Sequence, residues 1–209
     1  MVANTSGSEN TAVGQGALGS NTTASDNTAV GRNSLNANTT GNENTALGKD
    51  ALSANTTGTN NLSLGSDTML ANTTGSNNVA VGYGALQVNT TANNNTAVGD
   101  RALFNNTTGT NNSSLGHDSL KANTTGAALT AIGDSALLKN TTGDNNVAVG
   151  GFSLSENLTG FHNTAVGYAS LSNNTSNYNS AFGYKALEDN TSGERNTALG
   201  RTALEVNTT

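Results

Sequence analysis

Apolar residues recur along this chain as two short runs separated by polar stretches. The first run reads V-A-V-G or T-A-V-G, as at residues 79–82, and the second pairs a small residue with leucine, as at Ala85 and Leu86. The intervening segments are rich in asparagine, threonine and glycine, which are poor or middling helix formers. Apolar runs this short, alternating or paired, are typical of strands. The pattern therefore predicts an all-β chain of short strands joined by corners.

The same pattern returns every seventeen residues. Written from its first asparagine, the unit is N-T-T-G-x-x-N-T-A-V-G-x-x-A-L-x-x, and twelve copies occupy residues 4–206 as a single repeat array. The eleventh copy, 174–189, has sixteen residues, and residues 207–209 begin a thirteenth. A fixed short period indicates one structural unit stacked on copies of itself. We predict a β-solenoid, or parallel β-roll, with two short strands in each coil and a length of roughly 55–60 Å.

Three positions of the unit are constant enough to predict its corners and core. Glycine ends the first run in all twelve copies, which indicates positive φ or close backbone approach at that corner. A second corner follows N-T-T, with glycine in nine copies and Ala24, Ala92 and Asn177 in the others. The apolar residue before the constant glycine and the leucine four residues after it are the two large side chains that we expect each coil to bury. Representative corner and core residues are Gly14, Val13, Leu18, Gly82, Val81, Leu86, Gly150, Val149 and Leu154.

Asparagine opens every copy, and a second asparagine follows in all but one, at a spacing of six residues or, in the shortened copy, five. Stacked asparagine side chains form amide ladders in cross-β assemblies. We therefore expect such a ladder along the first asparagine of each copy. Leu129 replaces the second asparagine in the eighth copy, where we expect a local difference. The first predicted ladder residues are Asn21, Asn38, Asn55, Asn72 and Asn89.

Two large apolar side chains in seventeen residues make a thin interior. Their burial contributes less free energy than the backbone entropy lost when seventeen residues become ordered. We therefore expect other chains to supply additional burial. The simplest arrangement is a parallel homotrimer around a shared axis.

The segments N-N-V-A-V-G at residues 77–82 and 145–150 resemble the head repeats of YadA-like trimeric autotransporter adhesins. The phrase N-T-A-V-G-x-x-A-L is also similar to repeat shafts of phage tail fibres and of bacterial trimeric surface fibres. The resemblance covers all twelve copies and implies stacked parallel β-rolls in a trimer. This unit is longer than the usual head repeat by its N-T-T-G segment, and the sequence contains no neck, stalk or anchor. Because the array opens at Asn4 and stops within a unit, we interpret the sequence as a piece of a longer protein.

The resemblance implies a rod-like segment of a trimeric surface fibre or adhesin on a cell or virion. In this interpretation the segment is an extracellular rigid spacer and attachment surface, and a host-surface protein or glycan is the expected ligand class. The alternative is a self-assembling extracellular filament or matrix protein, because uncapped solenoid ends attract further strands. Discrete short rods would favour the fibre, and long polymers would favour the filament.

Composition narrows the range of partners. The 209 residues carry a formal net charge of −6, which argues against nucleic acid as a partner. The absence of cysteine excludes disulfides and thiolate metal sites within the chain. No apolar run approaches membrane-spanning length, so we expect no membrane insertion by this segment. The first residues do not have the pattern of a secretory signal.

Candidate chemistry is sparse. His117 and His162 lie in different copies, no carboxylate pair recurs, and aspartate is not periodic. Acid–base catalysis needs a positioned carboxylate or imidazole, and calcium-binding solenoids repeat their aspartates. We therefore expect no catalysis, no cofactor and no metal site.

Aromatic residues cluster in the ninth and tenth copies. In adjacent coils, Phe152, Phe161, His162 and Tyr168 would form a small patch of the kind that binds sugars or proteins. The alternative interpretation is that these are separate exposed aromatic residues without a shared role.

Two further interpretations arise from asparagine and threonine. Every copy opens with an N-x-S/T glycosylation sequon, although turn and ladder roles explain the same residues. Threonine follows the first asparagine in eleven of twelve copies, as at Thr22, with Leu158 as the exception. Such a row suggests an ice-binding face, a less favoured alternative because neighbouring threonines in a strand point to opposite sides.

Overall fold

The computed structural model describes residues 3–207 and contains, within that range, strands and turns but no helix. Thr208 and Thr209 of the incomplete thirteenth copy lie outside the described residues. Each copy of the unit contributes one three-residue strand. The strands are β1 (Thr11–Val13), β2 (Thr28–Val30), β3 (Thr45–Leu47), β4 (Leu62–Leu64), β5 (Val79–Val81), β6 (Thr96–Val98), β7 (Ser113–Leu115), β8 (Thr130–Ile132), β9 (Val147–Val149), β10 (Thr164–Val166), β11 (Ser180–Phe182) and β12 (Thr197–Leu199).

The strands form one parallel sheet whose spatial order follows the chain from β1 to β12. Each residue pairs with its equivalent in the next copy, as Ala80 pairs with Ala97 seventeen residues later. Between β10 and β11 the step is sixteen, and Ala165 pairs with Ala181. The predicted all-β solenoid is therefore confirmed, and its sheet continues through the shortened copy.

The prediction of two strands per coil is wrong. The small residue and the leucine, such as Ala85 and Leu86, lie in a turn. Leu86 has a φ of 51°, and the equivalent residue has a φ between 45° and 53° in every copy. Strands need strongly negative φ, so this left-handed backbone ends any extended run.

The constant glycine after each strand is explained by both of the predicted reasons. Its φ lies between 124° and 142° in all twelve copies, a region that is closed to residues with a Cβ. A Cβ at Gly99 would lie 2.4 Å from the carbonyl oxygen of Gly116 in the next coil. No other residue fits this corner without displacing the neighbouring coil.

The second corner, after N-T-T, needs a small residue for a different reason. Gly58 does not have positive φ, but a Cβ there would lie 2.3 Å from the carbonyl oxygen of Gly75. The restriction is therefore one of space rather than of backbone angle, and the corner accepts only small residues, with alanine in place of glycine at Ala24 and Ala92.

In the shortened copy, the prediction that Asn177 occupies this second corner is wrong. Asn174 donates from Nδ2 to the carbonyl oxygen of Ser176 at 2.8 Å, as Asn157 does to Gly160 at 2.9 Å. Ser176 therefore stands at the corner. The missing residue is one of the two threonines that precede the corner.

The leucine row places one large, fully buried apolar side chain in each of the first eleven coils, and the alanine or serine at the middle of each strand packs beside it. Leu129 adds a second buried side chain in the eighth coil, and Leu204 in the twelfth coil is 53% exposed. The fully buried members of the leucine row are Leu18, Leu35, Leu52, Met69, Leu86, Leu103, Leu120, Leu137, Leu154, Leu171 and Leu187.

The first asparagines form the predicted ladder up to Asn157 and again from Asn174 onward, with an interruption between these two residues at the shortened copy. Asn21, Asn38, Asn55, Asn72 and Asn89 are all fully buried. The Nδ2 atom of each donates to the Oδ1 atom of its predecessor, at 2.8 Å from Asn55 to Asn38 and 2.9 Å from Asn72 to Asn55. The same Nδ2 atoms also donate to the carbonyl oxygen at the second corner of their own coil. A polar residue thus fills the interior with its side-chain groups paired, except at Asn157, whose Oδ1 atom has no donor.

The second asparagine row connects adjacent coils through the backbone. The backbone nitrogen of Asn61 donates to Oδ1 of Asn44 at 3.0 Å, and Nδ2 of Asn44 donates to the Gly58 carbonyl at 2.9 Å. Leu129 keeps only part of this pattern, because its backbone nitrogen donates to Asn112 while its buried side chain has no amide. The expected local difference is confirmed, and it is confined to the side chain because the strand pairing on both sides of β8 is regular.

Candidate functional site

The residue before each constant glycine points out of the coil. Successive side chains of a strand alternate between faces, and the buried middle residue occupies the inward face. Val13 is 58% exposed and Leu115 is 50% exposed, while Val81 and Val149 are only partly buried. The prediction that Val13, Val81 and Val149 are core residues is therefore wrong. We call these positions the outer apolar row: Val13, Val30, Leu47, Leu64, Val81, Val98, Leu115, Ile132, Val149, Val166, Phe182 and Leu199.

The first residue of each strand points to the same side. This outer mixed row contains threonine, serine, leucine and valine, and all of its members are partly or fully exposed. The two rows together are the outer face of the sheet, and neither contains a charged residue. The sequence contains a signal for this face. In T-A-V the middle residue is small, which indicates that it faces the closely packed interior and that the two larger residues face outward. The outer mixed row comprises Thr11, Thr28, Thr45, Leu62, Val79, Thr96, Ser113, Thr130, Val147, Thr164, Ser180 and Thr197.

Charged side chains lie at the corners instead. Arg101 Nε lies 3.2 Å from Asp100 and 3.1 Å from Asp118. His117 Nδ1 lies 3.0 Å from Asp134 Oδ1. Apart from Asp118, whose side chain is 14% exposed, these groups are solvated, and surface ion pairs of this kind contribute ~0–1 kcal/mol each. The two histidines do not come together, because His162 lies at a different corner.

Two ionisable groups have a shifted pKa. A hydrogen bond from Asn33 Nδ2 at 2.9 Å is the main cause that lowers the pKa of Asp50, and Lys49 and Arg32 lower it further. A hydrogen bond between Lys185 and Glu188, with Nζ and Oε2 2.9 Å apart, raises the pKa of Lys185. Both groups lie on the surface, away from the outer face.

The predicted aromatic patch divides into two columns at different corners. Phe152 contacts Tyr168 edge to face, with ring centroids 5.8 Å apart, at the corner that follows the constant glycine. Phe161 and His162 lie after the second corner and contact Tyr178. No ring contact joins the two pairs within residues 3–207. The four residues therefore do not form one surface.

Each column uses the faces of its rings internally. Tyr168 and Tyr184 stack at 5.7 Å with 13° between their planes, and Arg201 lies 5.5 Å from the Tyr184 ring. His162 and Tyr178 stack at 5.3 Å. Stacking covers one face of each of these four rings. This geometry does not favour a platform on which a sugar ring would stack.

The sequon asparagines of the second to twelfth copies are fully buried, from Asn21 to Asn190. Their Nδ2 atoms, to which a glycan would be attached, donate hydrogen bonds to the preceding ladder side chain or to the carbonyl oxygen at the second corner. Asn4, at the first described coil, is exposed. In the folded array these buried asparagines therefore have a structural role, and a glycan cannot be attached to them.

The threonine row that follows the first asparagine also has a structural role. Thr56 Oγ1 donates to the Thr73 carbonyl oxygen at 3.0 Å, and Thr73 Oγ1 donates to Thr90 in the same way. These hydroxyl hydrogens are used between coils. These hydroxyl groups therefore do not donate to water, although an ice-binding face would need such donors to order water molecules.

The described residues form no pocket and bring together no group of three or more histidine, cysteine, aspartate or glutamate residues suited to a metal ion. They contain no helix long and apolar enough to cross a membrane. Compared with known proteins, the chain matches no family model, no curated protein and no solved structure. The outer face of the sheet, built from two uncharged rows, is the candidate functional surface.

Proposed function

We propose that this chain is a rod-like structural segment of a trimeric surface fibre or adhesin, outside a cell or on a virion. Its role is that of a rigid spacer that holds an attached part away from the surface. The observation that carries the proposal is the unbroken stack of coils, in which all twelve strands form one in-register sheet. At ~4.8 Å per coil, the stack is roughly 55 Å long.

Resistance to bending follows from hydrogen bonds on several sides of the coil. Between the fourth and fifth coils, β4 pairs with β5, Asn72 donates to Asn55, and Thr56 donates to Thr73. On the remaining side, the backbone nitrogen of Asn78 donates to Asn61 Oδ1 at 3.0 Å. Bending in any direction would lengthen at least one of these rows. The rod therefore transmits force without a hinge.

Assembly with further copies is supported by the distribution of apolar side chains. Most coils bury one large apolar residue, fewer than the two predicted, and leave another on the outside. Large exposed apolar surfaces mark contacts with other molecules. A homotrimer would cover this surface and enlarge the core. The proposal is mechanical, so it assigns no catalytic residue or cofactor, and it includes neither nucleic acid nor insertion into a membrane.

A host-surface protein or a glycan remains the proposed ligand class for the assembled fibre. The proposal assigns no residue to that contact, because the aromatic residues expected to form one patch lie in two self-stacked columns.

Light scattering coupled to size exclusion, followed by electron microscopy, tests this function. A particle of three times the 20.9 kDa chain mass and a single rod length would support the trimeric segment. A stable monomer at all concentrations would contradict it. Mass that grows with concentration, together with polymers of unequal length, would favour the filament.

A further inference from the structure

We infer that copies of this chain join side by side through the outer face, in parallel and in register, with the outer apolar row at the centre of the contact. The inference rests on the proposed trimeric rod and identifies the surface that holds it together.

The two outer rows provide an internal comparison. They belong to the same strands and point to the same side, so they share any preference of strands for particular residues. The outer mixed row accepts threonine or serine in nine of twelve copies, whereas the outer apolar row is aliphatic or phenylalanine in all twelve. Four of its members are leucine, which is not among the residues that strands favour most. Strand preference alone therefore does not explain the outer apolar row, and burial against another molecule does.

The outer apolar row is also preserved where the coil is irregular. The residue missing from the eleventh copy is lost near the second corner, and Val166 still pairs with Phe182 across the shortened step. Leu129 alters the second asparagine row while Leu115, Ile132 and Val149 remain in register. The irregularities leave the outer face continuous from β1 to β12.

The partner that fits this surface is another copy of the same chain. The row repeats at ~4.8 Å along the whole rod, and a second copy presents a row of equal spacing, length and apolarity. The formally charged residues of the chain, eight basic and fourteen acidic, all lie at corners outside the two rows. Three copies around one axis must run parallel, which brings each coil against its own equivalent.

Cysteine cross-linking tests the assignment, because the chain has no cysteine of its own. Val30 lies near one end of the row, so Val30→Cys approaches its equivalent only when the copies are parallel and in register. Thr23→Cys is the matched control, since Thr23 is exposed in the same copy but lies at the second corner. Each variant is treated with a short bismaleimide and separated on a denaturing gel.

We expect Val30→Cys to give covalent dimers at least tenfold more efficiently than Thr23→Cys. Equal yields, or a higher yield from Thr23→Cys, in a particle of oligomeric mass would overturn the assignment of the face and leave the trimeric rod standing. If the unmodified chain is a monomer, the proposed trimer fails, and the inference fails with it.

A second pair of variants addresses the same face by mass. The double variant Leu64→Asp, Val98→Asp places two negative charges in the outer apolar row. The control double variant Thr57→Asp, Thr91→Asp places two negative charges in the same copies, at exposed positions outside the two rows. We expect the first double variant alone to lower the mass threefold or, where the dissociated chain does not hold its fold, to abolish the β-strand circular dichroism, and the control should change neither. Unchanged mass for a folded Leu64→Asp, Val98→Asp variant would overturn the inference.

Discussion

The leucine row and the outer apolar row are equally constant in the sequence but lie on opposite sides of the coil wall. Leu103 is fully buried, whereas Phe182, the bulkiest member of the outer row, is 39% exposed. An apolar residue that recurs in every copy thus indicates that its side chain packs against other protein atoms. It does not say whether the contact is with the same chain or with another. The comparison predicts that the two rows respond differently to substitution.

Truncation in the leucine row has the largest expected effect. Leu103→Ala leaves a cavity in a fully buried position and should destabilise the chain by about 2–5 kcal/mol. Leu103→Met is the control, expected to cost less than about 1.5 kcal/mol, because Met69 occupies the same row. Urea denaturation at one low protein concentration measures both. Equal losses for the two variants would contradict the burial of this row.

The buried asparagine ladder is expected to come next. Asn72→Ala removes the donor to Asn55 Oδ1 and the acceptor for Asn89, which leaves buried polar groups unpaired at a cost of about 1–3 kcal/mol. Asn77→Ala makes the same change at an exposed position where Ala128 stands in another copy, and should cost less than about 1 kcal/mol. Thermal unfolding of the two variants compares them, and a greater loss for Asn77→Ala would refute a stabilising ladder.

Substitution in the outer apolar row should act on assembly rather than on the fold of one chain. Val98→Thr keeps the branched side-chain shape, so the dissociated chain should change by less than about 0.5 kcal/mol. The unfolding midpoint of the parent chain should rise with protein concentration, and this rise should diminish in Val98→Thr. Thr96→Val, in the outer mixed row of the same strand, should not diminish it. If the unfolding midpoint of Val98→Thr depends on protein concentration as strongly as that of the parent, the proposed difference between the two rows is wrong.

The smallest expected effect concerns pH at a corner outside both rows. The folded state lowers the pKa of Asp50 below its ordinary value of 3.8, chiefly through the Asn33 hydrogen bond. The ionised carboxylate therefore stabilises the fold above the unfolded pKa, and this contribution is lost as pH falls through the folded pKa. Asp50→Asn should cost less than about 1 kcal/mol near neutral pH, because the site is near the surface.

The pH dependence follows from comparing unfolding midpoints of Asp50→Asn and the parent. Their difference should shrink as the pH is lowered below 3.8. A difference that is constant over this range would mean that the Asn33 contact does not favour the charged carboxylate.

Much of the fold could be predicted from the repeat itself. A seventeen-residue period with short apolar runs favoured a β-solenoid over a helical repeat, and a glycine in every copy marked a corner that needs positive φ. The first asparagine ladder was also predictable, because identical residues at equal spacing stack directly on one another. The corner at Ser176 was not, since an omitted residue can be assigned to several positions until the hydrogen bonds of Asn174 are seen.

The sequence by itself determined the period, the corners, the asparagine ladder and which positions must be apolar. Only the tertiary structure decided that Leu86 turns inward through a left-handed backbone while Val81 points outward. It also decided that Phe152 and Phe161 belong to separate columns. The physical reason is that a period defines which residues stack between coils, whereas the backbone dihedral angles within one coil define which side of the wall each residue faces.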